Sequence, residues 1–231
     1  MKTCAIVYLL PEPAGSGNFP TAYRPLGGKP LLAHTLQAFE DCPSIDNVVL
    51  VNEAEYMLFA TDNVIDRFGL TKTNKVTACA KSRFLTIQNG LNAVEADTDI
   101  VLIHDALRPF VSTQLISDLV SEGLAHDAVA PGLKTSDPVK RAEQGFILAS
   151  LDKDRIYIMQ SPQAFKLQLI RDAYKNAESS EHVFADDVAV VENFGHKARV
   201  IEGERYNLKI DTDEDFKLAK ILLENIISPG E

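Results

Sequence analysis

The chain has 231 residues, 45% of them hydrophobic and 24% charged, a balance that suits one large α/β domain and excludes a disordered chain. Its formal net charge of −10 argues against a nucleic-acid partner, which needs a basic surface, but a few local cations would still hold a small anion. No apolar run approaches the roughly 20 residues that span a bilayer, so no membrane partner is expected.

The first apolar run, residues 4–10 (CAIVYLL), reads as a buried strand. One Lys precedes it and no small-residue cleavage site follows, which argues against a secretory signal. Cys4, Cys42 and Cys79 are isolated and form no CxxC pair, a pattern that fits a reducing cytoplasm rather than a disulfide framework or a zinc site. A loop rich in Gly and Pro follows the strand. Residues 30–40 place Leu31, Leu32, Leu36 and Phe39 on one helical face. IDNVVLVN is the second strand, residues 53–68 a helix, KVTACA a third strand, SRFLTIQNGLNAV a helix and DIVLIHD a fourth strand. Residues 112–125 form a helix with Ser112-Thr113 as N-cap and Leu115, Ile116, Leu119 and Val120 turned inward. AVAPG is the fifth strand. Strands and helices alternating at this spacing predict a mostly parallel twisted sheet covered by helices on both faces.

The rhythm breaks at residues 133–155, which are polar with short β-like pieces around a Glu143-Gln144-Gly145 turn. This segment reads as a projecting β-arm, which needs a partner surface to be stable. A short strand (IYIMQ), helices over 166–178 and 186–194, a late strand (ARVIEGE) and a closing helix over 212–227 complete the chain. With no internal repeat or linker, residues 1–231 read as a single domain carrying that arm.

Two segments suggest chemistry. Ala14-Gly15-Ser16-Gly17 follows a strand, where glycines let consecutive backbone N–H groups face a phosphate. It is neither a Walker loop nor the dinucleotide fingerprint, and alone it could be an ordinary turn. His104-Asp105-Ala106-Leu107-Arg108-Pro109-Phe110 closes the fourth strand, at the kind of strand end where open α/β sheets bind ligands. A carboxylate there can hold Mg²⁺ and a nearby Arg can pair with a phosphate; Asp105 could equally cap the next segment and pair with Arg108.

HDALRPF resembles the HDAARPF block of the 2-C-methyl-D-erythritol 4-phosphate cytidylyltransferases. Other segments are similar to that family in the same order: AGSG, PLGGKPLLAHTLQAF, RFLTIQNGL, DPVKR, SPQAF, ADD and VIEGERYNLKIDTDEDF. The set is also shared with the pentitol-phosphate cytidylyltransferases. The resemblance implies a nucleotide-diphospho-sugar transferase-like sheet and transfer of CMP from CTP to a polyol phosphate, with Mg²⁺ as cofactor and pyrophosphate released. It also implies a homodimer whose arm, residues 133–155, crosses to the second subunit. By the same resemblance Asp105 would bind Mg²⁺ and the nucleotide, and Lys209 would stabilise charge on the α-phosphate. Ala14, Gly15, Ser16, Gly17 and Thr86 would contact the nucleotide; Arg108, Lys153, Ser161 and Asp186 would bind the polyol phosphate. Simpler roles stand beside these: Lys209 as a solvated lysine, Asp186-Asp187 as helix caps, Thr86 on a helix surface, His104 packed near its strand end.

The chain departs from the family most in the glycine loop. The family has an Arg and then a Lys after its glycines, where this chain has Asn18-Phe19-Pro20-Thr21-Ala22-Tyr23. Thr21 stands at the Lys position, and Arg24 is the nearest cation that could act in its place. Leu85, Leu107, Pro138 and Ala185 replace further family residues. Loss of one charge-stabilising donor typically costs about 3–4 kcal/mol of barrier, so a slow enzyme is expected unless Arg24 compensates. The sequence thus supports a methylerythritol-phosphate cytidylyltransferase first, with an impaired nucleotide-binding or interaction homologue, or a ribitol-5-phosphate enzyme, as alternatives.

Overall fold

The computed structural model describes residues 1–11, 19–180 and 182–227. In chain order the elements are β1 (Thr3–Tyr8), β2 (Pro25–Leu26), β3 (Lys29–Pro30), α1 (Leu31–Asp41), β4 (Asn47–Asn52), α2 (Met57–Ala60), β5 (Thr73–Ala78), α3 (Arg83–Ala93), β6 (Ile100–Asp105) and α4 (Thr113–Ala125). They continue with β7 (Ala128–Lys134), β8 (Lys140–Glu143), β9 (Phe146–Ser150), β10 (Tyr157–Met159), β11 (Gln163–Lys166), α5 (Leu167–Ala177), α6 (Asp187–Asn193), β12 (Arg199–Glu202) and α7 (Asp213–Ile227).

The main sheet runs β10-β7-β11-β6-β1-β4-β5, with β12 added along β7, eight strands among the described residues. β5, β4, β1 and β6 are mutually parallel. The largely apolar β1, β4 and β6 are buried on both faces, as parallel strands under two helical layers must be. Ala5 and Val7 of β1 face a core with Leu36 and Phe39 of α1 and Leu119 of α4. Cys4, Ile6 and Tyr8 face the opposite core with Ile87 of α3, Ile170 of α5 and Val190 of α6. A third cluster, Leu26, Leu31, Ile210, Phe216, Ala219 and Leu223, seats α7.

Helix starts follow local chemistry. The Ser82 hydroxyl accepts from the Leu85 N–H at 3.3 Å and the Ser112 hydroxyl from the Leu115 N–H at 3.0 Å, each satisfying a donor at the first turn. Gly90 lets α3 lie close on β1, since a Cβ there would meet Ile6 Cγ2 at 2.6 Å.

The structure adds two features to the sequence reading. β11 has no counterpart in the sequence reading, yet it runs antiparallel between β6 and β7 and separates those two strands. Four residues between Pro162 and α5 leave no periodicity to read. Residues 53–68 are helical but irregular: a 3₁₀ turn at Ala54–Tyr56, then α2, then a π-helical stretch over Thr61–Asp66.

The 133–155 segment contains the β8–β9 hairpin, which pairs with no other strand among the described residues. Gln144 and Gly145 turn it with φ of 49° and 85°, the left-handed values that tight hairpins need.

Candidate active site

β1 and β6 end side by side, with Tyr8 opposite Asp105 in register. Later strands are added on both sides of β1, β4 on one and β6 on the other, so a crevice opens beyond these strand ends. A cavity of about 220 Å³ occupies it, lined among others by Tyr8, Arg83, Asp105, Arg108, Asp186 and Lys209.

Asp105 is held from its own strand end. Its Oδ1 accepts from the Leu107 N–H at 3.0 Å, and its Oδ2 lies 3.2 Å from Lys209 Nζ. Lys209 also meets Asp211 Oδ1 at 3.1 Å. Burial works against the lysine's charge, but Asp105 and Asp211 more than offset it and raise its pKa.

The segment carrying Lys209 lies between β12 and α7 and is stitched onto the cavity wall. The Ile210 N–H donates to Leu107 O at 2.9 Å, Arg108 Nη1 to Asn207 O at 2.7 Å, and Asn207 Nδ2 to Ser161 O at 2.8 Å.

His104 points away from the chemistry. It is fully buried, its ring 5.1 Å from that of Phe39. Its Nε2 lies 3.1 Å from Arg108 O, which can only accept, so Nε2 carries the proton. Nδ1 then accepts from the Ser161 hydroxyl at 3.2 Å, and that hydroxyl accepts the Asp105 N–H at 3.1 Å. Burial pushes the His104 pKa down to about 3, so the ring stays neutral.

The opposite wall is built by α6 and α3. Gln163 Oε1 accepts the N–H groups of Asp187 and Val188 at 3.2 and 3.0 Å, and Asp186 Oδ1 caps α6 from Ala189 at 2.9 Å. Asp187, 2% exposed, takes a two-pronged bond from Arg83 at 3.1 and 2.6 Å and a third from the Tyr174 hydroxyl at 2.6 Å. Arg83 Nε donates to the Tyr8 oxygen at 3.3 Å. Burial alone would lower the Arg83 pKa; the Asp187 carboxylate overrides it and raises it.

This arrangement of carboxylates and several cations around a crevice at parallel strand ends suits charge-neutralising phosphate chemistry. The family model described as IspD, 2-C-methyl-D-erythritol 4-phosphate cytidylyltransferase, matches residues 12–225. The chain belongs to this cytidylyltransferase family.

A curated relative of that name from Clostridium novyi (strain NT) is 37% identical over 97% of this chain and 98% of its own length. Another from Syntrophotalea carbinolica is 36% identical, with 97% and 98% covered. The crystal structure of 4-diphosphocytidyl-2C-methyl-D-erythritol synthase from Anaerococcus prevotii matches with a TM-score of 0.84 at 28% identity, covering 96% of this chain and 98% of that one. The sheet is accordingly of the nucleotide-diphospho-sugar transferase type.

Of the residues matched to this cytidylyltransferase family, Asp105, Arg108, Ser161, Asp186 and Lys209 line the one cavity. Ala14, Gly15, Ser16 and Gly17 lie outside the described residues. Thr86 is fully buried and clamps the preceding loop, accepting from the Ala80 N–H at 3.0 Å and donating to Ala80 O at 3.2 Å. Lys153 sits at the base of the arm, its Nζ 3.4 Å from Ser136 O. Arg24 does not line the cavity: it pairs with Asp213 at 2.7 Å and stacks 4.1 Å from the Phe216 ring centroid.

Tyr8, Arg83 and Asp187 line the cavity although the motif reading assigned none of them a site role. Arg83 and Asp187 are 104 positions apart, and no local pattern joins them.

Among the described residues no cluster of three or more His, Cys, Asp or Glu could cage a metal ion. Asp105 nevertheless fits a hard cation of the kind that brings its own waters and the substrate's phosphates as further ligands. Its carboxylate is 13% exposed at the cavity.

Proposed function

We infer that this chain is a cytidylyltransferase that moves CMP from CTP to 2-C-methyl-D-erythritol 4-phosphate, in isoprenoid precursor synthesis. The observation that carries the reading is the convergence of Asp105, Arg108 and Lys209 on one strand-end cavity, in a chain matched to the family over residues 12–225.

A phosphate oxygen of the polyol forms a bond to the α-phosphorus of CTP, the α-phosphorus–oxygen bond to the β-phosphate breaks, and pyrophosphate leaves with that electron pair. The nucleophile is already an anion, so no general base is required. This accords with His104 being committed to Ser161 and Arg108. Lys209 and Arg108 set positive charge where negative charge gathers, and fixed placement of the two substrates supplies most of the remaining work. Mg²⁺ would be held by Asp105 together with substrate phosphates, and when bound it screens the charge on them. In this reading the chain works as a cytoplasmic homodimer joined through residues 133–155. No helix among the described residues is long and apolar enough to cross a membrane.

A second reading, an impaired homologue that binds nucleotide, is favoured by one observation. Arg24, the cation nearest to the altered loop, is engaged by Asp213 and Phe216. Pyrophosphate release with CTP, Mg²⁺ and either methylerythritol 4-phosphate or ribitol 5-phosphate separates these readings. Release with the first alone is expected. Release with ribitol 5-phosphate alone would reassign the acceptor, and CTP binding without release would establish the impaired homologue.

A further inference from the structure

Four side chains, three of them on the cavity lining, form a hydrogen-bond chain whose direction is set by their chemistry. The Tyr174 hydroxyl donates to Asp187, and Arg83, which has only donors, gives two to Asp187 and its Nε–H to the Tyr8 oxygen. The Tyr8 oxygen is therefore an acceptor in this bond, and its own proton must go elsewhere. Among the described residues nothing receives it. Tyr8 is only 6% exposed, yet it lines the cavity beside Asp105 and Arg108. A nearly buried O–H left without an acceptor is destabilising, and an occupant of the cavity that accepted it would recover that loss. Burial first, and then the Asp105 carboxylate, raise the phenol pKa, so the group is a donor at any physiological pH.

We propose that Tyr8 is a substrate-binding residue whose hydroxyl donates a hydrogen bond to an oxygen of the polyol phosphate. The proposal rests on the cytidylyltransferase reading. Donation from Arg83 polarises the phenol and strengthens the bond it gives in turn. With Arg108 and Lys209 on the same lining, the cavity offers cations and one directed neutral donor, the complement of an oxygen-rich anion. Tyr8 thereby links the Arg83–Asp187 pair to the substrate.

Tyr8→Phe removes the hydroxyl and keeps the ring beneath the Arg83 guanidinium, 5.2 Å from its centroid. In steady-state pyrophosphate release the KM for methylerythritol 4-phosphate is expected to rise about tenfold, the loss of one hydrogen bond of ordinary strength. The KM for CTP should stay within about twofold and the melting temperature should hold. An unchanged KM for the polyol phosphate overturns the proposal, as does a rise confined to CTP. If the natural protein releases no pyrophosphate, the cytidylyltransferase reading fails by itself. Calorimetric titration of methylerythritol 4-phosphate onto the two proteins then decides: weaker binding to Tyr8→Phe upholds the contact, and equal or absent binding removes it.

Discussion

Arg24 reaches 189 positions along the chain to Asp213, and its guanidinium lies over Phe216, so its charge is already engaged at the start of α7. A half-exposed ion pair contributes about 0–1 kcal/mol and a stacked cation about as much again. Arg24→Ala should therefore lower stability by about 1 kcal/mol in urea unfolding and leave turnover within a few-fold. A loss of about 100-fold in turnover at unchanged stability would mean that Arg24 leaves Asp213 for the triphosphate. His104 permits a test through pH. Its folded pKa, near 3, lies below the ordinary value of 6.5, so the unfolded chain takes up the proton first. Stability that depends on the neutral ring is complete above about pH 6.5 and is lost as the pH falls toward 3. At pH 5 the deficit is about 2 kcal/mol. His104→Gln, measured by urea unfolding from pH 7 to 5, should flatten that limb, and parallel curves for the two proteins would refute the assignment.

The β8–β9 hairpin presents Phe146, Ile147 and Leu148 at 75%, 68% and 52% exposure. A two-stranded hairpin is marginal in water, and three consecutive exposed apolar side chains call for a covering surface. Replacing residues 140–150 by a short Gly-Ser link should convert a dimer into a folded monomer in light scattering. An intact protein already monomeric at micromolar concentration would end the idea. The hairpin was legible in the sequence, because a polar segment with a Gln-Gly turn stands out among buried runs. β11 was not: Gln163, Ala164 and Phe165 are buried and pair with β6, the last two also with β7, and only those neighbours make four residues a strand. α3 and α4 lie between: Ser112 and apolar spacing mark the start and inward face of α4 in the sequence, whereas the cap that Ser82 gives α3 is a finding of the structure.

Across the whole molecule, the Arg83–Asp187 pair ties α3 to α6 behind the cavity and through Tyr8 to the central strand. Removing one member of such a pair leaves a buried charge uncompensated, whereas replacing both with apolar residues of similar volume is far less costly. Asp187→Ala is expected to cost about 3–5 kcal/mol in urea unfolding, and Arg83→Met combined with Asp187→Leu distinctly less. If the double variant is as unstable as the single one, the pair acts through its shape rather than its charge.

What the sequence by itself determined is the order of the helices and of every strand but β2, β3 and β11, the two-sided cover of the parallel strands, the arm, and the strand-end motif that supplies Asp105 and Arg108. These are written in local periodicity and in short runs of residues, which depend on neighbours a few positions away. Only the tertiary structure decided that Lys209 comes to Asp105, that His104 and Thr86 are held by the scaffold, that Arg24 lies against Asp213, and that the Tyr8 proton meets no acceptor among the described residues. Each of these depends on which of several possible partners a long or polar side chain meets. That choice is made by packing between segments as much as 189 residues apart, and no local pattern encodes it.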